Sequence, residues 1–136
     1  MLDRLREEVS RVARHGGPLT LALGELLPQS EATSSLTSWA AEQVRRTKRR
    51  CDVAGQYGPQ GFMLLLPRTT GAAGVGACRR LQAILESPPA PLRGPIRACF
   101  GVAELHGTEP SAVKALLVRA EERLEQARKG PEQVAF

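Results

Sequence analysis

Apolar residues recur along this chain with two different spacings, and their alternation predicts the order of helices and strands. Segments in which apolar residues return every three or four positions alternate with short apolar runs bounded by Gly, Pro, Ser and Thr, which are typical of strands. The predicted elements are a helix ending near His15, strand 19–23, helix 36–47, a hairpin of strands 53–57 and 62–67, helix 69–85, strand 96–105, helix 111–128 and a short strand over 134–136. The order αβαββαβαβ predicts an α/β or α+β domain whose sheet of about five strands is flanked by helices. The continuous apolar run over 62–66 places the second hairpin strand at the centre of that sheet.

Length and composition predict a single globular domain over 1–136. A chain of 136 residues is long enough for one core and too short for two domains. Hydrophobic residues make up 42% of the chain and charged residues 24%, as in ordinary globular proteins. No apolar run approaches the roughly 18 residues that a membrane span requires. The N-terminus also lacks the apolar core and cleavage site of a secretory signal, which favours a cytoplasmic protein.

Cysteine content and net charge limit the kinds of site and binding partner that the sequence supports. The three cysteines are an odd number without CxxC spacing, so the sequence suggests neither a disulfide framework nor a zinc site. A net charge of +5 and a pI near 9.7 favour an anionic partner such as a nucleotide, a nucleic acid or an acidic protein. The basic run over 45–50 is interpreted as a solvated helix face, and nucleic acid is disfavoured because few aromatic residues are present to stack on bases.

The segment 49–62 carries the most specific signal in the chain. It reads RRCDVAGQYGPQGF and predicts a strand followed by a tight hairpin. It resembles the signature loop of GGDEF domains, the diguanylate cyclase family, whose turn reads Gly-Gly-Asp/Glu-Glu-Phe. Three more blocks, 14–21, 98–103 and 117–121, resemble the family's approach to its first strand, its Ser-Ile-Gly-Val-Ala strand and its Leu-x-x-Ala-Asp helix. The likeness implies the central, mostly antiparallel sheet of nucleotidyl cyclases, with the hairpin in the middle of the chain.

The resemblance also implies that the catalytic chemistry is lost. In the family, two domains each hold one GTP, and two Mg²⁺ ions bound by carboxylates activate the attacking hydroxyl. Only Glu25, at the predicted end of the first strand, remains for this role, and it is either a relic metal ligand or a solvated carboxylate. The turn here keeps the first glycine and the phenylalanine of the signature but neither carboxylate: Gly58, Pro59, Gln60, Gly61 and Phe62. We therefore expect no cofactor, no Mg²⁺ binding and no cyclase activity.

Substrate recognition is predicted to be lost as well. Pro59 replaces a glycine against which substrate lies, and it removes an N–H donor. The segment 27–34 lacks the Phe, Lys, Asn and Asp that the family uses for phosphate and guanine. Arg128 matches the family's phosphate-contacting lysine, but Pro131 stands where a following arginine is expected.

A second ligand motif of the family is present. Many GGDEF domains bind their product, cyclic di-GMP, at an inhibitory site marked by Arg-x-x-Asp ahead of the hairpin and an arginine on the next helix. Arg49 and Asp52 have this spacing, and Arg80 falls on the next predicted helix at the matching distance. Arginine can pair with phosphate or with the guanine edge, and aspartate can accept guanine N–H bonds. The alternative is a salt bridge between Arg49 and Asp52 at a helix end, without any ligand.

Two functional hypotheses follow. The leading one is an inactive GGDEF-like signalling domain that acts as a cyclic di-GMP receptor; the other is a docking module that binds a protein partner and no nucleotide. The family's Asp-x-Leu-Thr-Gly-Leu segment is absent before the first helix, so we expect a domain cut from a larger regulator with an upstream sensor or receiver domain. Because the inhibitory site commonly holds two nucleotides shared between domains, a ligand-bridged dimer is also consistent with the resemblance.

Overall fold

The computed structural model describes residues 2–28, 34–89, 96–107, 110–131 and 133–136. Its elements are α1 (Leu2–His15), β1 (Leu19–Pro28), α2 (Ser34–Thr47), β2 (Val53–Gln56), β3 (Gly61–Pro67), α3 (Gly71–Leu85), β4 (Ile96–Glu104), α4 (Pro110–Lys129) and β5 (Val134–Ala135). This is the order predicted from the sequence. The segment 27–34, where the sequence lacks the family's phosphate and guanine residues, lies largely outside the described residues.

The five strands form one sheet in the order β2-β3-β1-β4-β5. The first four strands are antiparallel to their neighbours, and β5 runs parallel to β4. The predicted α+β class with a mostly antiparallel, five-stranded sheet is therefore confirmed. The prediction that the second hairpin strand lies at the centre is wrong, because β1 occupies that position. Strands β1 and β3 both have two strand neighbours and helices on both faces, so an apolar run does not distinguish between them.

Strand β1 is longer than its apolar run predicted. The sequence indicated a strand over 19–23 with Glu25 at its end, whereas the structure continues β1 to Pro28. Glu25 lies within the strand, opposite Gly61 of β3 and Cys99 of β4. The polar residue and the glycine before it interrupt the apolar pattern, but the two neighbouring strands supply hydrogen bonds along the whole length and extend the ladder.

Helices cover both faces of the sheet. Along β1 the side chains alternate, so that Leu21 and Leu23 face α1 and α4 while Ala22 and Leu26 face α2 and α3. The helices contribute buried apolar residues to the same two clusters: Leu5 and Val9 from α1, Leu116, Ala120 and Leu124 from α4, Ala40 and Val44 from α2, and Cys78, Leu81 and Leu85 from α3. The two faces therefore have separate cores, and each can carry a site of its own.

The close packing of α4 on β4 depends on Gly101. A Cβ atom at this position would meet the backbone of Ala120 and Leu124, so only glycine lets the helix lie this near the strand. The contact places the C-terminal half of α4 beside Glu25 on the neighbouring strand. Within the described ranges, no helix combines the length and apolar character needed to cross a bilayer.

Candidate functional site

The two predicted ligand-binding segments meet at one pocket between α2 and α3. Arg49 and Asp52 lie in the connection from α2 to β2, and Arg80 lies on α3. All three residues line a pocket of about 200 Å³, whose apolar walls include Val44 and Ala77. The fold thus brings together residues that are separated in sequence by the whole hairpin and half of a helix.

Asp52 is buried, and both of its carboxylate oxygens accept hydrogen bonds from Arg49. The backbone N–H of Arg49 donates to Oδ2 at 2.8 Å, and Nη2 of its side chain donates to Oδ1 at 2.9 Å. The Asp52 side chain is only 5% exposed, whereas that of Arg49 is 53% exposed. The salt bridge between Arg49 and Asp52, which the sequence offered as the alternative to a ligand site, is therefore present. It fixes the orientation of the Arg49 guanidinium.

Arg49 also ties this turn to the connection between β3 and α3. Its Nη2 donates to the carbonyl oxygen of Pro67 at 3.0 Å and to Oγ1 of Thr69 at 2.5 Å. The hydroxyl of Thr20 on β1 donates to the Thr69 carbonyl at 2.7 Å. The hydrogen bond to Asp52 raises the pKa of the Arg49 guanidinium above its ordinary value, outweighing the lowering effect of burial. Nη1 of Arg49 has no partner among the described residues, so this half of the guanidinium is open to a ligand.

Three further cations line the same pocket: Lys48, Arg68 and Arg80. Lys48 donates from Nζ to the backbone carbonyl of Asp52 at 3.2 Å. Within the described chain, the side chains of Arg68 and Arg80 make no hydrogen bond or ion pair. Sequence reasoning missed Arg68; the available signal was the hairpin itself, since antiparallel pairing of β2 with β3 brings the residues after β3 beside those before β2.

The turn over 58–62, here called the GPQGF turn, closes the hairpin. Gly58 has a φ of 70°, in the left-handed region that favours glycine. Gly61 lies opposite Glu25 in the β1–β3 register, and its carbonyl accepts a hydrogen bond from the N–H of Tyr57 at 3.0 Å. A Cβ atom at Gly61 would collide with the backbone carbonyl oxygen of Tyr57. The backbone therefore leaves no room for a side chain where the family signature has a glutamate.

A second pocket, of about 330 Å³, lies between α2 and the GPQGF turn. Residues 59–62 all line it, and the Phe62 ring packs edge-on against Phe100 with ring centroids 5.5 Å apart. Arg45 is the basic residue of this lining, and it pairs with Glu42 at 2.5 Å. The second pocket is therefore mainly apolar and offers little positive charge to a phosphate.

Glu25 is held by an arginine of α4. Nε of Arg128 donates to Oε2 of Glu25 at 2.7 Å, Nη2 donates to the same oxygen, and Nη1 donates to Glu125 at 2.6 Å. The hydrogen bonds to Glu25 raise the pKa of Arg128. Gln60 and Gly61 add no carboxylate on the facing strand, and the described residues contain no group of three acidic, His or Cys side chains placed to hold a metal. These residues do not fit the two Mg²⁺ ions that the family uses for catalysis.

Tyr57 connects the hairpin to α4. Its hydroxyl donates to Oε1 of Glu121 at 2.7 Å. Burial, together with this hydrogen bond, raises the pKa of the phenol to about 12. Sequence analysis assigned no role to Tyr57, because nothing in its position indicates a partner 64 residues further along the chain. The contact braces the turn against the helix that holds Arg128.

Comparison with known proteins gives one curated relative and several solved structures. No family model matches the chain. The relative is diguanylate cyclase DgcP of Pseudomonas aeruginosa, which is 28% identical over 138 residues. The alignment covers 93% of this chain and 20% of DgcP, so the chain spans about a fifth of the length of that relative.

Solved GGDEF domains superpose on almost the whole chain. The active GGEEF domain of a diguanylate cyclase from Vibrio cholerae has a TM-score of 0.87 at 17% identity, over 98% of this chain and 92% of that one. The GGDEF domain of DgcB from Caulobacter crescentus, in complex with cyclic di-GMP, has a TM-score of 0.82 at 17% identity, over 98% and 85% of the two chains. Likeness at this identity establishes the fold. The predicted resemblance to GGDEF domains is therefore confirmed at the level of the fold.

Proposed function

We propose that this chain with the GGDEF fold is a catalytically inactive signalling domain that binds cyclic di-GMP at the site formed by Arg49, Asp52 and Arg80. The observation that carries the proposal is that these three residues line one pocket although they come from two distant segments. The half-exposed Arg49 and the unpaired Arg80 offer charged N–H donors to phosphate oxygens or to a guanine edge. The structural neighbour DgcB, solved with cyclic di-GMP, supports the choice of ligand.

The size of the pocket bears on how the ligand is held. Its volume of about 200 Å³ is smaller than the roughly 300–1,000 Å³ of most small-molecule sites. A cyclic dinucleotide bound there extends beyond the surface of one domain, where a second copy of the chain can contact it. A ligand-bridged dimer is therefore part of the proposal.

Loss of cyclase activity is supported by two local features, the ion pair at Glu25 and the backbone at Gly61. Arg128 pairs with Glu25, the carboxylate that remains near the turn, and thereby supplies its counter-charge from within the chain. The backbone at Gly61 has no space for a side chain. We expect no cyclic di-GMP to form when the protein is incubated with GTP and Mg²⁺; robust turnover in that assay would refute the inactive assignment.

The binding proposal is tested by calorimetric titration with cyclic di-GMP. We expect a dissociation constant of about 1 μM or below for the unmodified chain and loss of the binding heat in Arg80→Ala. Arg80 is the informative position, because its side chain has no described partner and we therefore expect its removal to leave the fold intact. Arg14→Ala, an exposed arginine of α1 on the opposite face of the sheet, controls for the loss of one positive charge.

A second candidate function has an observation in its favour. The bonds from Arg49 to Asp52, Pro67 and Thr69 give the Arg-x-x-Asp segment a structural role that needs no ligand. A nucleotide-independent docking module for a protein partner would keep these contacts for stability alone. In that case the unmodified chain shows no heat at high concentrations of cyclic di-GMP, while Asp52→Ala still lowers the melting temperature.

A further inference from the structure

The charges around the pocket between α2 and α3 do not balance. Its lining contains four cations and a single carboxylate, Asp52. That carboxylate already pairs with Arg49, and the one described partner of the Lys48 ammonium is a neutral backbone carbonyl. Lys48, Arg68 and Arg80 therefore leave about three positive charges around a small pocket without a described counter-charge, an arrangement that suits a ligand with several negative charges.

Arg68 is also the one described residue other than glycine with a positive φ. Its φ of 53° is in the left-handed region, which is costly for a side chain with a Cβ atom and which Gly or Asn adopts more readily. The flanking bonds hold the turn in this conformation, because Arg49 donates to Pro67 and Thr69 on either side of Arg68. A strained residue that its surroundings hold in place is characteristic of ligand-binding positions.

Asp52 is poorly placed to contact the ligand itself. Both of its oxygens accept hydrogen bonds from Arg49, and the side chain is only 5% exposed. A guanine N–H could therefore reach the Asp52 carboxylate only if the pair with Arg49 opened. The groups that face the pocket without a partner are cationic. The pocket as built therefore favours phosphate oxygens over base edges.

We infer that Arg68 is a ligand-binding residue of this site and that it forms, with Lys48 and Arg80, a subsite for the phosphate groups of the ligand. Asp52 then acts through Arg49 as a positioning residue. The inference rests on the proposed function, because it assigns the phosphates of the proposed ligand to residues outside the Arg-x-x-Asp segment. It makes the β3–α3 turn part of the binding surface.

The test uses variants of Arg68 that differ in charge and in how well they tolerate the positive φ at this position. Arg68→Asn removes the positive charge and introduces a residue that tolerates the left-handed region, whereas Arg68→Lys keeps the charge. Arg14→Ala, which removes a positive charge far from the pocket, is the control. Each protein is titrated by calorimetry with cyclic di-GMP and, separately, with inorganic tripolyphosphate. We expect Arg68→Asn to weaken cyclic di-GMP binding about tenfold or more, as the loss of a charged hydrogen bond does, while Arg68→Lys retains most of it.

The outcomes separate this inference from the proposed function. If the unmodified chain binds cyclic di-GMP and Arg68→Asn binds it equally well, the proposed function stands and the role of Arg68 is refuted. If the unmodified chain does not bind cyclic di-GMP, the proposed function fails and tripolyphosphate decides: binding that depends on Arg68 supports the phosphate subsite, and absent or Arg68-independent binding refutes it. Thermal melting shows whether a variant has lost binding through unfolding. We expect Arg68→Asn to keep or raise the melting temperature, because Asn adopts the left-handed backbone conformation at lower cost than Arg.

Discussion

Asp52 illustrates how one residue can be both a ligand-site candidate and part of the framework. Its carboxylate accepts from the backbone N–H and the side chain of Arg49, and it is almost fully buried. A motif read from the sequence indicates which residue types are present, but it does not show which of their atoms are already used. The structure shows that Asp52 is used internally and that the outer half of Arg49 is open.

We predict that Asp52→Ala lowers the free energy of unfolding by about 1–3 kcal/mol, because the backbone N–H and Nε of Arg49 lose their acceptor. Chemical denaturation monitored by the fluorescence of Trp39 measures the change. Glu122→Ala, which removes an exposed carboxylate of α4 with no described partner, is expected to stay within about 0.5 kcal/mol of the unmodified chain. Equal stabilities of the Asp52 and Glu122 variants would mean that the internal pair contributes nothing in solution.

Tyr57 gives a second prediction at the residue scale, which depends on pH. The folded chain holds the phenolic proton with a pKa of about 12, against an ordinary value of 10.0. This contribution to stability is therefore fully present below pH 10 and is lost as the pH rises from 10 towards 12. Because the chain has one tyrosine, phenolate absorbance follows Tyr57 directly.

Two variants test the origin of this shift. Glu121→Gln is expected to move the absorbance midpoint part of the way back towards 10, because burial still acts on the phenol after the charge is removed. Tyr57→Phe should abolish the signal and flatten the stability profile in this range. A midpoint near 10 in the native chain would contradict the hydrogen bond between the Tyr57 hydroxyl and Glu121 of α4.

Among the elements, the hairpin has some features that the sequence predicts and others that only the structure reveals. Its two strands and its turn follow from the apolar pattern and the glycines over 53–67, as does the order of all nine described elements. The close approach at Gly61 does not follow, because it depends on the path of the backbone at Tyr57. The left-handed turn at Arg68 is likewise not predicted by any periodicity, since it is held by bonds from two other segments, through Arg49 and Thr20.

For the same element we predict that returning the family's glutamate to the turn does not restore catalysis. Gly61→Glu places a Cβ atom against the Tyr57 carbonyl oxygen, and the turn must shift to accommodate it, at a cost of about 1–3 kcal/mol. Gly61→Ala should show most of the same loss, which separates the steric effect from the charge. Denaturant unfolding and an assay with GTP and Mg²⁺ measure the two consequences; an active and fully stable Gly61→Glu protein would contradict the description of the turn.

At the scale of the whole molecule, the fold places a cationic pocket and an apolar pocket along α2, and Val44 lines both. The cationic pocket joins α2, β3 and α3, so a ligand bound there connects segments that must separate when the domain unfolds. The apolar pocket lies against the GPQGF turn, where Arg45 is already paired with Glu42. The two sites should therefore respond differently to cyclic di-GMP and to GTP.

We predict that cyclic di-GMP stabilises the whole domain and that GTP with Mg²⁺ does not. A ligand present at about 100 times its dissociation constant adds about 2.7 kcal/mol to the stability of the folded state, which for a chain of this length raises the melting temperature by about 9 °C. Arg80→Ala should abolish the shift while melting at the temperature of the unliganded protein, because Arg80 supports no other described residue. If GTP and Mg²⁺ raise the melting temperature and still do so in Arg80→Ala, nucleotide binding is located at the apolar pocket instead. The GPQGF turn would then still bind GTP although it lacks the catalytic carboxylates.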